Sequence, residues 1–174
     1  MYEIKRSGIQ GKGVFAIRNV KKNEHLFHID LDLLPSYSLK EIDKDPKLKA
    51  NGDHSDYVGN GRYAIDLSPS SYMNHSCNPN CYVRMKTITI KDVYALKDIK
   101  KGEELTLDYT LTSVDQFAGM GFWSMDCKCG SENCRGLVVG DFFTLPKEKQ
   151  SKFYRNLPPS IIKKYASRFK EHYS

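Results

Sequence analysis

The chain has 174 residues, of which 40% are hydrophobic, 11% aromatic and 28% charged. That is room for one ordinary domain with an appendage and enough apolar mass for a core, which excludes a disordered chain or a collagen-like fibre. No run approaches the roughly 20 apolar residues of a membrane span, and residues 1–10 lack the apolar stretch of a secretory signal, so an intracellular protein without a membrane segment is expected.

The net charge is +6, but residues 141–174 hold eight Lys/Arg against three Asp/Glu, leaving +1 for everything before them. The basic character belongs to the tail, and nucleic-acid binding by the main body is not implied. In chain order, residues 9–27 read as two strands joined by a Lys21-Lys22-Asn23 turn. Residues 30–56 loosen into an irregular insert with Pro35, Pro46 and Gly52 as breakers and a short helix near Ser38–Ile42. The insert carries seven acidic residues against four lysines. Val83–Val93 alternates and is rich in β-branched residues, predicting a strand pair; residues 94–109 repeat the strand, Lys-Lys turn, strand cadence. After Thr144, a candidate cap, a short helix is predicted. Pro158-Pro159 break it and Ser160 caps a second, in which Ile162, Tyr165, Ala166 and Phe169 share one face.

Five cysteines, an odd number, argue for thiols or metal ligands over a disulfide framework. Cys127, Cys129 and Cys134 fall within eight residues, one thiolate short of the four that structural zinc prefers. Cys77, Cys81 and His75 are the candidates for the fourth. A second cluster, Asn74-His75-Ser76-Cys77-Asn78-Pro79-Asn80, packs polar groups into a turn, where each needs a partner or a ligand. A third, Gly102 to Tyr109 (GEELTLDY), ends in a tyrosine just past a strand.

Gly11-Lys12-Gly13, then NHSCNPN, then GEELTLDY, then CKCGSENCRG closely resembles, in order as well as motif, the SET-domain family of protein-lysine N-methyltransferases with a post-SET zinc segment. The resemblance covers residues 8–138 and implies a mostly β, β-clip-like fold with short helices and a pseudoknot in which the segments ending at Cys77 and Tyr109 thread together. It divides the chain into a SET domain (1–110, insert about 30–56), a post-SET zinc segment (111–140) and a basic helical extension (141–174). It also implies S-adenosylmethionine held by Lys12, Gly13, Tyr72, Asn74, His75 and Tyr109, with Trp123, Leu137 and Val138 as a lid over the adenine. Tyr109 and Tyr57 would be the catalytic tyrosines, Leu107 and Tyr57 would line the lysine channel, and Cys77 would complete a structural Zn2+ site with Cys127, Cys129 and Cys134, leaving Cys81 spare.

Three departures from the family pattern bear on this. Lys12 stands between the glycines where relatives carry an aromatic residue, Ser71-Tyr72 replace Arg-Phe, and Leu107 replaces the Phe or Tyr that limits methylation state. Leucine brings no hydroxyl to hold a water beside the amine, so products beyond monomethyl-lysine are expected. The acidic insert would attract a basic, histone-like tail. The 141–174 extension would dock on the domain, make a dimer contact or lean on DNA. The location would be nuclear in a eukaryote and cytoplasmic otherwise. A non-histone substrate, a non-catalytic peptide-binding SET fold and a nucleic-acid module are the competing readings.

Overall fold

In the computed structural model, which describes residues 2–114 and 123–170, β1 (Tyr2–Arg6) runs antiparallel to β2 (Lys12–Ala16). Val14 and Ala16 turn inward from β2 while β1 stays on the surface. The predicted turn follows, with Asn23 at φ 66°, a left-handed conformation that Asn tolerates better than most residues, and β3 (His25–Asp30) leads away from it.

The insert is more ordered than expected. It holds β4 (Ser36–Ser38), α1 (Leu39–Lys44), α2 (Pro46–Lys49) and β5 (Ser55–Gly59), and β6 (Arg62–Ile65) completes an antiparallel sheet in the order β4-β6-β5. Strands of three to five residues are too short to carry a clear periodicity, which is why this sheet was not expected. The helix near Ser38 is present: Ser38 caps α1 through a reciprocal pair of hydrogen bonds with Glu41.

Next come β7 (Asn74–His75), β8 (Cys81–Met85), β9 (Ile90–Ala95) and β10 (Glu104–Leu107). The predicted strand pair is the hairpin β8–β9, with β9 central in the order β3-β9-β8. β10 pairs antiparallel with β2 and parallel with β7, in the order β1-β2-β10-β7. A two-stranded ribbon, β11 (Ser124–Asp126) with β12 (Leu137–Val139), brackets the cysteine-rich loop. The architecture is the expected one, several small β-sheets with short helices.

The C-terminal helices α3 (Lys147–Phe153), α4 (Pro159–Lys164) and α5 (Ala166–Phe169) begin differently from expectation. Thr144 closes a 3-10 turn and Pro146 holds the cap position of α3, while Pro159 opens α4, putting Ser160 inside the helix. Proline suits a first turn because its missing N–H has no intrahelical partner there. Of the roles expected for the extension, docking on the domain is the one seen: Phe142, Phe153, Tyr154, Leu157, Ile161 and Phe169 join the core that holds Val14, Met73 and Leu105. Phe169 is fully buried, a contribution of about 2–3 kcal/mol. Ile162 and Tyr165 pack at its edge and Ala166 is exposed. Among the described residues, no helix is long and apolar enough to cross a membrane.

Candidate active site

Two segments distant in sequence meet where β7 lies beside β10, Asn74 opposite Thr106 and His75 opposite Leu107. Ser76 N donates to Leu107 O at 2.8 Å, and the buried Asn80 side chain stitches the loop to β10. Its Nδ2 donates to Glu104 O at 2.7 Å and its Oδ1 accepts from Thr106 N at 2.8 Å. A carboxamide can do both at once, which explains an asparagine at this place.

Tyr109 starts a 3-10 turn directly after this pairing. Its backbone N–H donates to His75 Nδ1 at 3.2 Å, its ring stands edge-on to His75 with centroids 5.3 Å apart, and its hydroxyl donates to Met73 O at 2.7 Å. Burial, helped by Asp56 and Glu104, pushes the phenol up to about 12, so it is a neutral donor. His75 is pushed down to about 4, chiefly by burial; Asp108 opposes this, while Arg135 and Lys149 add to it. The imidazole is therefore neutral at pH 7, and its 3.8 Å approach to Asp108 is not an ion pair. Nδ1 accepts from Tyr109 N, and Nε2 lies 3.4 Å from Cys77 Sγ and 3.5 Å from Arg135 Nη2.

On the far side of β7, Asn74 Nδ2 lies 3.0 Å from Lys12 O and 2.8 Å from Glu104 Oε1. Ser7 Oγ donates to the same carboxylate. A Cβ on Gly13 would fall 2.2 Å from Glu104 Oε1, so any side chain there would force Glu104 to move.

Tyr109, Leu107 and Met73 form one wall of a cavity of about 540 Å³; Tyr57, Tyr63 and Trp123 form others, and Asp53, Asp56, Asp66 and Lys91 give it its charge. The structure thus brings Tyr57, Leu107 and Tyr109 together at one cavity. The Tyr57 and Tyr63 rings meet edge-on at 5.5 Å. Trp123 reaches the cavity from the ribbon, its ring filling the space where a Cβ on Gly140 would stand. Lys12 and Gly13 sit on the Asn74 side. Tyr72 packs on the His54 ring at 4.5 Å, and Val138, opposite Met125 in the ribbon, has no exposed surface. Leu137 is 53% exposed.

Much of the insert's negative charge is used internally. Asp43 pairs with Lys49 at 2.7 Å, Asp45 caps α2, and Asp56 pairs with Lys91 at 2.9 Å. Asp53, at the cavity, has no ion pair or hydrogen bond to its side chain among the described residues.

Cys77, Cys127, Cys129 and Cys134 converge with all four sulfurs within 4.8 Å of one another, and this cluster could hold a metal ion. Cys77 and Cys127 Sγ are 3.7 Å apart. Cys81 is excluded from the cluster: it is fully buried, and burial pushes its thiol up to about 12. Asp108, Arg135 and Lys149 were not anticipated. Arg135 donates from N and Nε to Cys77 Sγ at 3.4 Å and from Nη2 to Asp108 at 2.6 Å. The sequence signal for this was an acid directly before Tyr109 and an arginine directly after Cys134.

A family model described as "SET domain" matches residues 11–110. Among curated proteins, the chain is 29% identical to histone-lysine N-methyltransferase ASHH2 of Arabidopsis thaliana over 80% of this chain and 8% of that one. It is 29% identical to histone-lysine N-methyltransferase set-2 of Caenorhabditis elegans over 79% and 9%. To histone-lysine N-methyltransferase ATX2 of Arabidopsis thaliana it is 30% identical over 86% and 14%. The chain therefore spans less than a sixth of the length of each of these relatives.

Proposed function

This chain belongs to the SET-domain family, and on that premise we propose that it is a protein-lysine N-methyltransferase that uses S-adenosylmethionine on a basic, histone-like tail. The observation that carries the reading is Tyr109, one ring touching both the His75 side and the cavity.

The residues on the Asn74 side fit the amino-acid end of the cofactor. Neither Lys12 Nζ nor Asn74 Oδ1 has a hydrogen-bond partner among the described residues, although Lys12 O and Asn74 Nδ2 are 3.0 Å apart. A free ammonium suits a carboxylate, and a free carbonyl oxygen suits an amino group. His75, Gly13 and Tyr72 would complete that end, with Trp123 nearer the adenine. When bound, S-adenosylmethionine supplies a methyl carbon on a positively charged sulfur.

The chain's own work is to present a neutral amine. A lysine with a reference pKa near 10.4 is about 3 units from neutrality at pH 7.4, roughly 4 kcal/mol. Entry into a cavity walled by Tyr57, Leu107, Tyr109 and Trp123 strips water from the ammonium and favours loss of its proton to solvent. Tyr109, held on Met73 O, orients the nitrogen and does not act as the base.

The thiol cluster fits structural zinc. Tetrahedral sulfurs at about 2.3 Å from zinc lie about 3.8 Å from each other, close to the Cys77–Cys127 spacing of 3.7 Å. Four thiolates leave no open position, so zinc would fold the loop around residues 127–134 and supply no Lewis acid. Lys163, Lys164, Arg168 and Lys170 are exposed on the docked extension and would lean on nucleosomal DNA, placing the protein on chromatin in a eukaryotic host.

The test is labelled S-adenosylmethionine with a panel of histones and other basic proteins, beside Tyr109→Phe. Transfer to lysine that is lost in the variant supports the reading; an inert wild-type chain on every substrate defeats it.

A further inference from the structure

Lys91 breaks the pattern of its own strand. β9 alternates half-buried and buried, and Lys91 falls on the buried face with Val93 and Ala95. Its cross-strand neighbours are Ile29 and Met85, both apolar. Lysine is almost never fully buried without a reason, since burying an ammonium costs far more than burying the isosteric apolar chain. The side chain is 8% exposed, and its Nζ lies 2.9 Å from Asp56 Oδ1, its one hydrogen-bond partner among the described residues. Replacing such a pair by apolar residues is often neutral or stabilising, so packing does not account for it.

Both members line the cavity that holds Leu107 and Tyr109. The other titratable groups facing that space are Asp53, His54, Tyr57, Tyr63 and Asp66, and Asp66 is occupied by Ser68 N and Oγ at 2.8 and 2.9 Å. Lys91 is the one Lys or Arg among the described lining residues. We propose that Lys91 is a positioning residue for charge: it cancels Asp56 beside the channel, so that the target lysine enters as a cation drawn by Asp53 and sheds its proton to water once inside. The inference rests on the methyl-transfer reading above. Without Lys91, Asp56 would stand unpaired and hold the substrate in its ammonium form, because an opposite charge nearby favours the charged state.

The test compares pH profiles of kcat, with KM, for wild type, Lys91→Met, Lys91→Arg and the double variant Lys91→Met/Asp56→Asn on a lysine peptide. Calorimetric counting of protons released on peptide binding gives a readout independent of turnover. Lys91→Met should move the rising limb of kcat up by about one pH unit, costing about tenfold at pH 7.5, without raising KM, and should release fewer protons on binding. Lys91→Arg should match wild type and the double variant should return toward it. A lower rate at every pH with an unmoved limb marks a merely structural residue and overturns the proposal. Should Lys91→Met fail to fold, a double variant with a wild-type limb supports the proposal, and one with a limb displaced upward overturns it. A wild-type chain that methylates nothing removes the parent reading, and this one with it; an active wild type with an unshifted Lys91→Met removes this one alone.

Discussion

Lys149 Nζ, on the first helix of the C-terminal extension, lies 2.8 Å from Asp108 Oδ2, immediately before Tyr109 in sequence, and 2.9 Å from Cys77 O. Asp108 has no exposed side-chain surface and also receives Arg135 and Thr110 N. One buried carboxylate therefore ties the extension, the cysteine loop and the turn that starts at Tyr109 together. Lys149→Met should lower unfolding stability by about 1.5–3 kcal/mol, the range for a hydrogen bond to a charged group, because Arg135 still neutralises Asp108. Lys149→Arg should recover part of it. Denaturant titration decides, and an unchanged midpoint in Lys149→Met refutes the coupling.

The thiol cluster predicts about one zinc per chain by elemental analysis. Cys129→Ser should lose the metal and, with it, affinity for S-adenosylmethionine, since the loop between β11 and β12 is otherwise held chiefly by a three-pair ribbon and by Arg135 on Asp108. Cys81→Ala should retain the metal, Cys81 lying outside the cluster. Unaltered cofactor affinity in metal-free protein would remove zinc's structural role.

The residues now found together were legible in sequence to the extent that their chemistry is unusual. Three cysteines in eight residues and a polar NHSCNPN turn announce themselves, and the hairpin at 81–95 shows in its alternation. Asp108, Arg135 and Lys149 did not, because a buried ion cluster is assembled from residue types that elsewhere sit in water, and only the fold removes the water. The sheet of β4, β5 and β6 was missed for a related reason: β4 and β5 are half-buried along their length and β6 buries the adjacent residues Tyr63 and Ala64, so strands of three to five residues here show no clear period. Lys91 was hidden inside a strand that was itself correctly anticipated. The segments 115–122 and 171–174, parts of the expected post-SET and tail regions, lie outside the described residues.

Gly13→Ala should disturb the cofactor side before it disturbs the core. Its Cβ would meet Glu104 Oε1 at 2.2 Å and Cδ at 2.7 Å, and Glu104 cannot swing aside freely while Ser7 and Asn74 hold it. Overpacking of this kind costs about 1–3 kcal/mol. Displacement of Asn74 should weaken S-adenosylmethionine binding by more than it lowers stability. Isothermal titration beside a denaturation curve separates the two, and wild-type cofactor affinity would contradict the placement.

Leu107 sits in the cavity wall two residues before Tyr109 with no hydroxyl to offer. Wild-type protein should carry a lysine peptide past one methyl, and Leu107→Tyr should hold it there by filling the space and adding a water-binding group. Intact-mass analysis at long times reads the outcome. A strictly monomethyl product from wild type would show that something other than Leu107 limits the space.

Tyr109 fixes the sign of the pH response. A phenol raised from its usual 10 to about 12 is neutral throughout the working range, so it has no proton to lose below about pH 10. Its contribution to folding follows the same rule: the fold favours the neutral form, and stability linked to Tyr109 falls only as pH rises through and beyond the unfolded value near 10. The rate should therefore climb with pH through neutrality on the ionisation of the substrate amine alone. Tyr109→Phe should lose about 10²-fold in kcat from misplacement of the nitrogen, since the hydroxyl on Met73 O is gone, while keeping the same profile shape. If the rising limb vanished in Tyr109→Phe, the phenol would be the base after all, and the neutral-donor role would be wrong.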